Sequence, residues 1–363
     1  MAENPATSPA QRAAEVPARP RILVVRRDNI GDLVCTLPMI AALRRRYPEA
    51  YIAALVNSYN RDVLDGHPDL DAVFAYTKAK HRADGESVIG VYWRRLKLML
   101  YLRRQRFDYA ILGGAHFLPR ALRLARPLGA KHILGFTEPG RRGGGAIDVA
   151  VPYGSGAGMH EVEDIFRLLA PLGIDGPPPA ARLAADAALA DSVRARLPAA
   201  AAGRPLIGLH ISARKPSNRW PVERFEAVAR HLHESHGAHF LLFWSPGAPD
   251  DRFHPGDDDK AERLTSALGS ELLTPCRTER LAELIAGLSL CDAVLCSDGG
   301  AMHIAAALEK PIVCLFGATD AVRWHPWAAP HQLLQTQARD VADVDAEAVI
   351  TAFSEMMTRK AVG

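Results

Sequence analysis

The chain has 363 residues, 48% hydrophobic and 23% charged, enough for two cores and the balance of a folded globular protein. That excludes a disordered, collagenous or disulfide-stapled chain, and no run of about 18 apolar residues exists to cross a membrane as a helix. The formal charge of +3 hides an asymmetry, with 25 Lys and Arg against 18 Asp and Glu in residues 1–176 and 19 against 23 beyond. A basic first half fits an anionic partner or a basic solubilising surface.

Residues 1–20, MAENPATSPAQRAAEVPARP, lack the apolar segment of a secretory signal and are expected to form a disordered leader. Short β-rich apolar runs follow at Arg21–Val25, Tyr51–Val56, Ala72–Tyr76 and Tyr109–Leu112, with helical patterns at Leu33–Tyr47 and Val88–Arg106. The second helix mixes Val91, Leu96, Leu98, Leu100 and Leu102 with six Arg and Lys. It reads as a helix packed on one side and solvated on the other, or as a membrane-surface face. Turn and helix-breaking chemistry at Leu172–Pro179 and the Ala-rich stretch Ala180–Gly203 predict an interdomain linker over 177–204.

After it the alternation restarts. Strands are expected at Leu206–Ile211, Phe240–Trp244, Ala293–Ser297 and Ile312–Phe316. Helices are expected at Val222–Glu234, Lys260–Leu268, Leu281–Leu288 and Ala301–Leu308, and a last one near Ala346–Arg359. Parallel strands with crossover helices make doubly wound sheets. The expected architecture is α/β, with two Rossmann-like domains (21–176 and 205–345) facing across a cleft. The closing segment 346–363 is a helix with the option of packing back on the first domain. In such sheets ligands sit beyond the carboxyl ends of the strands.

The first such loop, Arg26–Asp32, has only Gly31 where a dinucleotide fingerprint needs three spaced glycines, which argues against a nicotinamide cofactor. Asp32 opens a helix. It reads either as an N-cap, contributing roughly 1 kcal/mol, or as a general base kept ionised by a nearby Arg. In the second half, Ser212–Pro221 carries hydroxyls, Arg214, Lys215, Arg219 and Trp220. That is a grip for phosphate or an ordinary basic loop. The strongest signal is Ser297–Asp298–Gly299–Gly300–Ala301–Met302–His303, a strand running through two glycines straight into a helix. Unpaired N–H groups and the positive end of the helix dipole make an anion site there. His303, one turn in, reads as a phosphate contact or as a satisfied half-buried residue. The loop Trp244–Asp251 offers carboxylates for ribose hydroxyls, and Asp257–Asp258–Asp259 reads as a solvated run. No His, Cys and Asp cluster has metal-ligand spacing, so a leaving diphosphate must rely on cations and the helix end. The five cysteines, odd in number and without CxxC spacing, are expected to be reduced, buried and cytoplasmic.

Asn29–Ile30–Gly31–Asp32–Leu33–Val34–Cys35–Thr36–Leu37–Pro38 resembles the opening motif of glycosyltransferase family 9, the lipopolysaccharide heptosyltransferases. Ser297 through Ala307 and Lys310–Pro311 through Phe316–Gly317–Ala318–Thr319–Asp320 resemble its second signature. The resemblance implies a GT-B fold and inverting transfer without metal or cofactor. It further implies ADP-heptose as donor and an anionic lipid-linked core acceptor at the inner-membrane surface, with no nucleic acid. Carried over, Asp32 is the general base, while Asp298, Gly299, Gly300 and His303 bind the ADP-sugar and Ser212 belongs to the phosphate loop. The family's Lys two residues before Trp-Pro is Asn218 here, which leaves Lys215 or Arg214 to replace it. A transferase using another nucleotide sugar or a surface-polysaccharide or protein acceptor is a competing reading. A sugar-nucleotide binder that has lost catalysis is another.

Overall fold

The computed structural model describes residues 16–77, 87–140, 143–154, 158–250 and 256–362. The expected leader as far as residue 15, and Asp251, lie outside the described residues. The chain divides between Pro179 and Ala180 into two compact units.

The first unit holds β1 (Arg21–Val25), β2 (Tyr51–Asn57), β3 (Ala72–Tyr76), β4 (Tyr109–Leu112), β5 (His132–Thr137) and β6 (Val149–Pro152). They pair in parallel in the order β3-β2-β1-β4-β5-β6. The second unit holds β7 (Leu206–His210), β8 (His239–Trp244), β9 (Leu273–Arg277), β10 (Ala293–Ser297), β11 (Ile312–Phe316) and β12 (His331–Gln335). Their order is β12-β11-β10-β7-β8-β9, again all parallel. Each sheet has the same winding. The first and fourth strands of a unit are central neighbours, and from them the chain winds outward in opposite directions. The gap above that pair is the topological switch point, where α/β sheets bind ligands.

Apolar runs with helices on both faces explain the burial. Leu23, Val25, Leu55, Phe107 and Leu112 are in the core of the first unit. Leu209, Phe225, Phe240, Leu295 and Phe353 are in the core of the second. All five cysteines are free and buried.

Three expectations change. The segment Leu33–Tyr47 is two helices, Ile30–Val34 and Leu37–Arg46, because Pro38 enters at the start of the second and has no N–H to continue the first. The 177–204 segment is not an open linker beyond Pro179. A helix, Ala187–Arg194, is capped by the Asp186 carboxylate on the Leu189 N–H at 3.0 Å and packs on the helix Leu281–Ser289. The closing helix Ala346–Val362 packs on its own unit: Val349, Phe353 and Met356 join the core beneath β11 and β12 and against the helix Val222–His236.

Candidate active site

Both switch points carry the residues singled out in the sequence. In the first unit, β1 ends at Val25 and the chain turns through Arg26–Asn29 into the short helix. Asn29, extended at φ −87° and ψ 179°, is the N-cap. Asp32 is therefore not the cap but the third helical residue. Its Oδ2 accepts from the Asn29 backbone N–H at 2.9 Å and from Asn29 Nδ2 at 3.0 Å. This reaching back is the second arm of a capping box.

The other oxygen, Oδ1, accepts from Arg26 Nη2 at 2.8 Å. Arg26 is the centre of the site. Its side chain is 2% exposed and lies among three carboxylates. Asp28 stands 3.4 Å from Nε, and Glu161 stands 3.3 Å from Nη2. Arg26 Nη1 also donates to the Gly113 carbonyl just after β4, which stitches the two switch-point strands together. A side chain at Gly114 would stand 2.9 Å from that nitrogen and 2.6 Å from Leu118 Cδ1, so a bare backbone is needed there.

Burial pushes the Asp32 carboxyl up, but the Arg26 guanidinium and the Asn29 hydrogen bonds outweigh it and hold the group below the usual carboxylate range. Burial likewise lowers Arg26, and Asp32, Glu161 and Asp28 more than reverse it. Arg26 was visible in sequence only as an unnamed nearby cation. Glu161, 135 residues away, carried no signal.

In the second unit, β10 runs through Asp298 and Gly299 into the helix Gly300–Ala307, and the Asp298 N–H donates to the Leu315 carbonyl at 2.8 Å. Beside it lies the loop after β7. Asn218 is buried and donates through Nδ2 to the Asp298 carbonyl at 3.0 Å and to Asp298 Oδ2 at 3.1 Å. Thr319 Oγ1 donates to the same Oδ2 at 2.6 Å and accepts from Lys215 Nζ at 3.0 Å. Lys215, Thr319, Asp298 and Asn218 thus form one polar chain at the glycine turn. Gly317 is required because Ser217 O and Asn218 Oδ1 lie where its side chain would be. Trp220 fixes the loop from below: it is fully buried, stacks edge-on to Phe225 at 4.8 Å and donates to the Val344 carbonyl at 2.8 Å.

The remaining predicted residues divide. Gly299 and Gly300 sit at the helix start as expected. His303 is buried rather than half-buried, with its ring edge-on to Trp324 at 6.0 Å. Ser212 is spent locally, since its Oγ accepts from the Ser245 N–H at 2.8 Å. Arg214 is exposed. The run 257–259 is not simply solvated, because Asp258 accepts from Trp244 Nε1 at 2.7 Å and from the Gly247 N–H at 3.0 Å, closing the loop after β8. His210 is the last residue of β7, at the carboxyl end of a central strand, and the sequence did not single it out. Desolvation pushes its imidazole down to about 4 against the pull of Asp257, so it is neutral at physiological pH.

Among the described residues no three His, Cys, Asp or Glu side chains gather as a metal-binding group, and no helix is long and apolar enough to cross a membrane.

Comparison with known proteins places this arrangement. The family model for glycosyltransferase family 9 (heptosyltransferase) matches residues 95–351. The chain is 24% identical over 326 residues to lipopolysaccharide heptosyltransferase 3 of Escherichia coli, covering 86% of this chain and 88% of that one. It is 26% identical over 321 residues to lipopolysaccharide heptosyltransferase 2 of Salmonella typhimurium, covering 82% of each. The solved structure of the E. coli ADP-heptose lipopolysaccharide heptosyltransferase II shares the fold with a TM-score of 0.75 at 20% identity, over 94% of this chain and 99% of that one. With two doubly wound units of GT-B type and a family match over most of its length, the chain belongs to glycosyltransferase family 9, the heptosyltransferases of lipopolysaccharide biosynthesis.

Proposed function

We propose that the enzyme transfers heptose from ADP-heptose to a lipopolysaccharide core acceptor, with inversion and without a metal, and that Asp32 is its base. The observation that carries this is the Asp32 carboxylate itself, which is ionised by a buried Arg at the carboxyl end of β1 and is 17% exposed. Oδ2 already accepts two hydrogen bonds and Oδ1 one, which leaves a lone-pair direction on Oδ1 for an acceptor hydroxyl. A carboxylate held this acidic is a weak base. It takes the proton as the acceptor oxygen bonds to the anomeric carbon and becomes acidic, not before.

The glycine turn of the second unit takes the donor diphosphate. The N–H groups opening the helix Gly300–Ala307 and the Lys215 ammonium stabilise the charge that develops on the departing ADP. In this reading Asp298, Gly299, Gly300 and His303 line the donor site. Lys215 takes over the cation role that Asn218 lacks, and Ser212 and exposed Arg214 flank it. ADP-heptose is favoured because a relative of the same fold carries that donor in its name.

The donor is tested by thermal unfolding with ADP-, GDP- and UDP-sugars. A ligand at 100 times its Kd adds about 2.7 kcal/mol, so ADP-heptose should raise Tm while a UDP-sugar leaves it unchanged. Stabilisation by UDP- or GDP-sugars alone would move the assignment to a different nucleotide sugar, a reading that Asn218 at the family's Lys position makes worth the comparison.

Lys215→Ala should weaken donor binding by about 10- to 100-fold, the worth of one hydrogen bond to a charged group at roughly 1.5–3 kcal/mol, with little change in Tm because the side chain is exposed. Calorimetric titration with ADP decides it, and an unchanged Kd removes Lys215 from the phosphate clamp.

A further inference from the structure

The helix Val88–Arg104 in the first unit has two apolar faces. One is spent on the core: Val91 and Leu102 are buried, Leu98 and Met99 pack beside them, and Arg95 lies over the Tyr76 ring at 5.3 Å. The other faces water. Ile89, Trp93, Leu96 and Leu100 follow one another at steps of four, three and four residues, which sets them on a single stripe. They are 81%, 57%, 46% and 50% exposed. Of the eight large apolar side chains exposed among the described residues, six are on this helix, Tyr92 and Tyr101 being the others.

An ordinary surface helix gives its outer stripe to charged residues. Here the charges stand beside the stripe instead. Lys97 and Arg104 flank it on one side and Arg103 on the other, all exposed, and Lys97 Nζ reaches to 5.9 Å from the Trp93 ring. No Asp or Glu occurs between Val88 and Gln105.

We propose that this face docks on the surface of an anionic phospholipid bilayer. The helix lies in the interface plane, with Ile89, Trp93, Leu96 and Leu100 among the upper acyl chains and Lys97, Arg103 and Arg104 at the phosphates. Indole and phenol rings suit the headgroup level, apolar in body and polar at one end. Charge selects this occupant over a second copy of the chain. Two such helices face to face would bring ten cations together with no carboxylate from either helix, whereas an anionic leaflet supplies the counter-charge along the whole stripe. The inference rests on the proposed function for its purpose, the delivery of a lipid-linked acceptor to this unit, but its geometry stands alone.

The test is flotation of the full-length protein with large unilamellar vesicles of one part phosphatidylglycerol to two parts phosphatidylethanolamine, beside vesicles of phosphatidylcholine only. The protein should float with the anionic vesicles, and less so as salt rises. Trp93→Ser with Leu96→Ser should lower the partition coefficient about 100-fold, and Lys97→Glu with Arg104→Glu about tenfold, on the anionic vesicles only. The Trp93 and Leu96 double variant should keep its Tm and its rate on a delipidated, water-soluble acceptor oligosaccharide.

The proposal is overturned if the wild type stays with the solvent fraction, or if the apolar double variant floats as well as the wild type. It is also overturned if sedimentation shows a dimer that this variant dissolves, which would give the face to a second copy. Lipid docking that depends on Trp93 and Leu96, in a protein that transfers no heptose from ADP-heptose, would support the docking face and sink the proposed donor instead.

Discussion

Asp32→Asn is expected to lower kcat by about 10²–10⁴-fold, the usual contribution of a positioned base, while the Kd for ADP stays where it was. The amide keeps an oxygen to accept from the Asn29 N–H and keeps the volume. Arg26 keeps Asp28 and Glu161 but loses its ion pair with Asp32 and meets the amide NH₂ there instead, so Tm should fall modestly while the unit stays folded. Asp32→Ala should lose as much rate, and in addition roughly 1 kcal/mol of stability with the arm of the capping box. The pair of variants therefore separates chemistry from folding. Because Arg26 and Asn29 hold the wild-type carboxyl below its usual range, the base form persists into acid. The rate should stay level from pH 7 to about 5, more than one unit above the ordinary Asp value of about 3.9. Steady-state rates across pH, with a donor titration for each variant, make the check. Full turnover in Asp32→Asn would remove the carboxylate from the reaction.

The sequence carried the alternation of strand and helix well at most strands that lie inside a sheet. Arg21–Val25, Tyr109–Leu112, Ala293–Ser297 and Ile312–Phe316 are unbroken apolar runs because both of their faces are covered. Four strands were not legible. β6 (VAVP), β9 (LTPCR) and β12 (HQLLQ) are edge strands. At an edge, Pro152 and Pro275 are tolerated, as are the polar ends of β12, so the pattern that identifies a strand is diluted. β5 (HILGFT) is interior, but Gly135 interrupts its apolar run. A side chain there would stand 3.1 Å from Leu112 Cδ1, a tight contact that glycine avoids.

The candidate site was legible in part for a related reason. Turn glycines and helix starts are local, so Asp298, Gly299 and Gly300 could be read directly. Partners brought in by topology could not. Glu161 reaches Arg26 from the start of a distant helix, and Thr319 reaches Asp298 from the loop after β11. Asn218 shows the limit most clearly. Its sequence position suggests a missing cation, whereas the structure shows a buried amide bonded to both the backbone and the carboxylate of Asp298. A Lys cannot supply that planar donor, so the substitution changes how the glycine turn is held as well as its charge.

Arg26→Met should be the most damaging single change to the fold of the first unit. It leaves Asp28, Asp32 and Glu161 around an apolar side chain, and removing one partner of a buried ionic cluster costs about 3–5 kcal/mol. At roughly 2–4 °C per kcal/mol for a unit of this size, Tm should fall by about 6–20 °C at pH 8. The pH dependence gives the sign. In the wild type the depressed Asp32 carboxyl contributes stability above its unfolded pKa, and that stability is lost only as pH falls through the lower folded value. Without the guanidinium, burial and the crowding of Asp28, Asp32 and Glu161 are opposed only by the Asn29 hydrogen bonds, and the folded pKa rises. The variant then takes up a proton on folding and gains stability as pH falls, so the gap to the wild type should narrow between pH 8 and pH 5. The acid limb of kcat/KM should move upward for the same reason. Arg26→Lys should fall between the two, since one ammonium supplies charge to the carboxylates but cannot also span Gly113, Asp32 and Glu161 as the guanidinium does. Thermal melts of the three proteins at both pH values decide the matter. An Arg26→Met protein as stable as the wild type at pH 8 would mean that the carboxylates need no cation, and the ionised-base reading of Asp32 would lose its physical support.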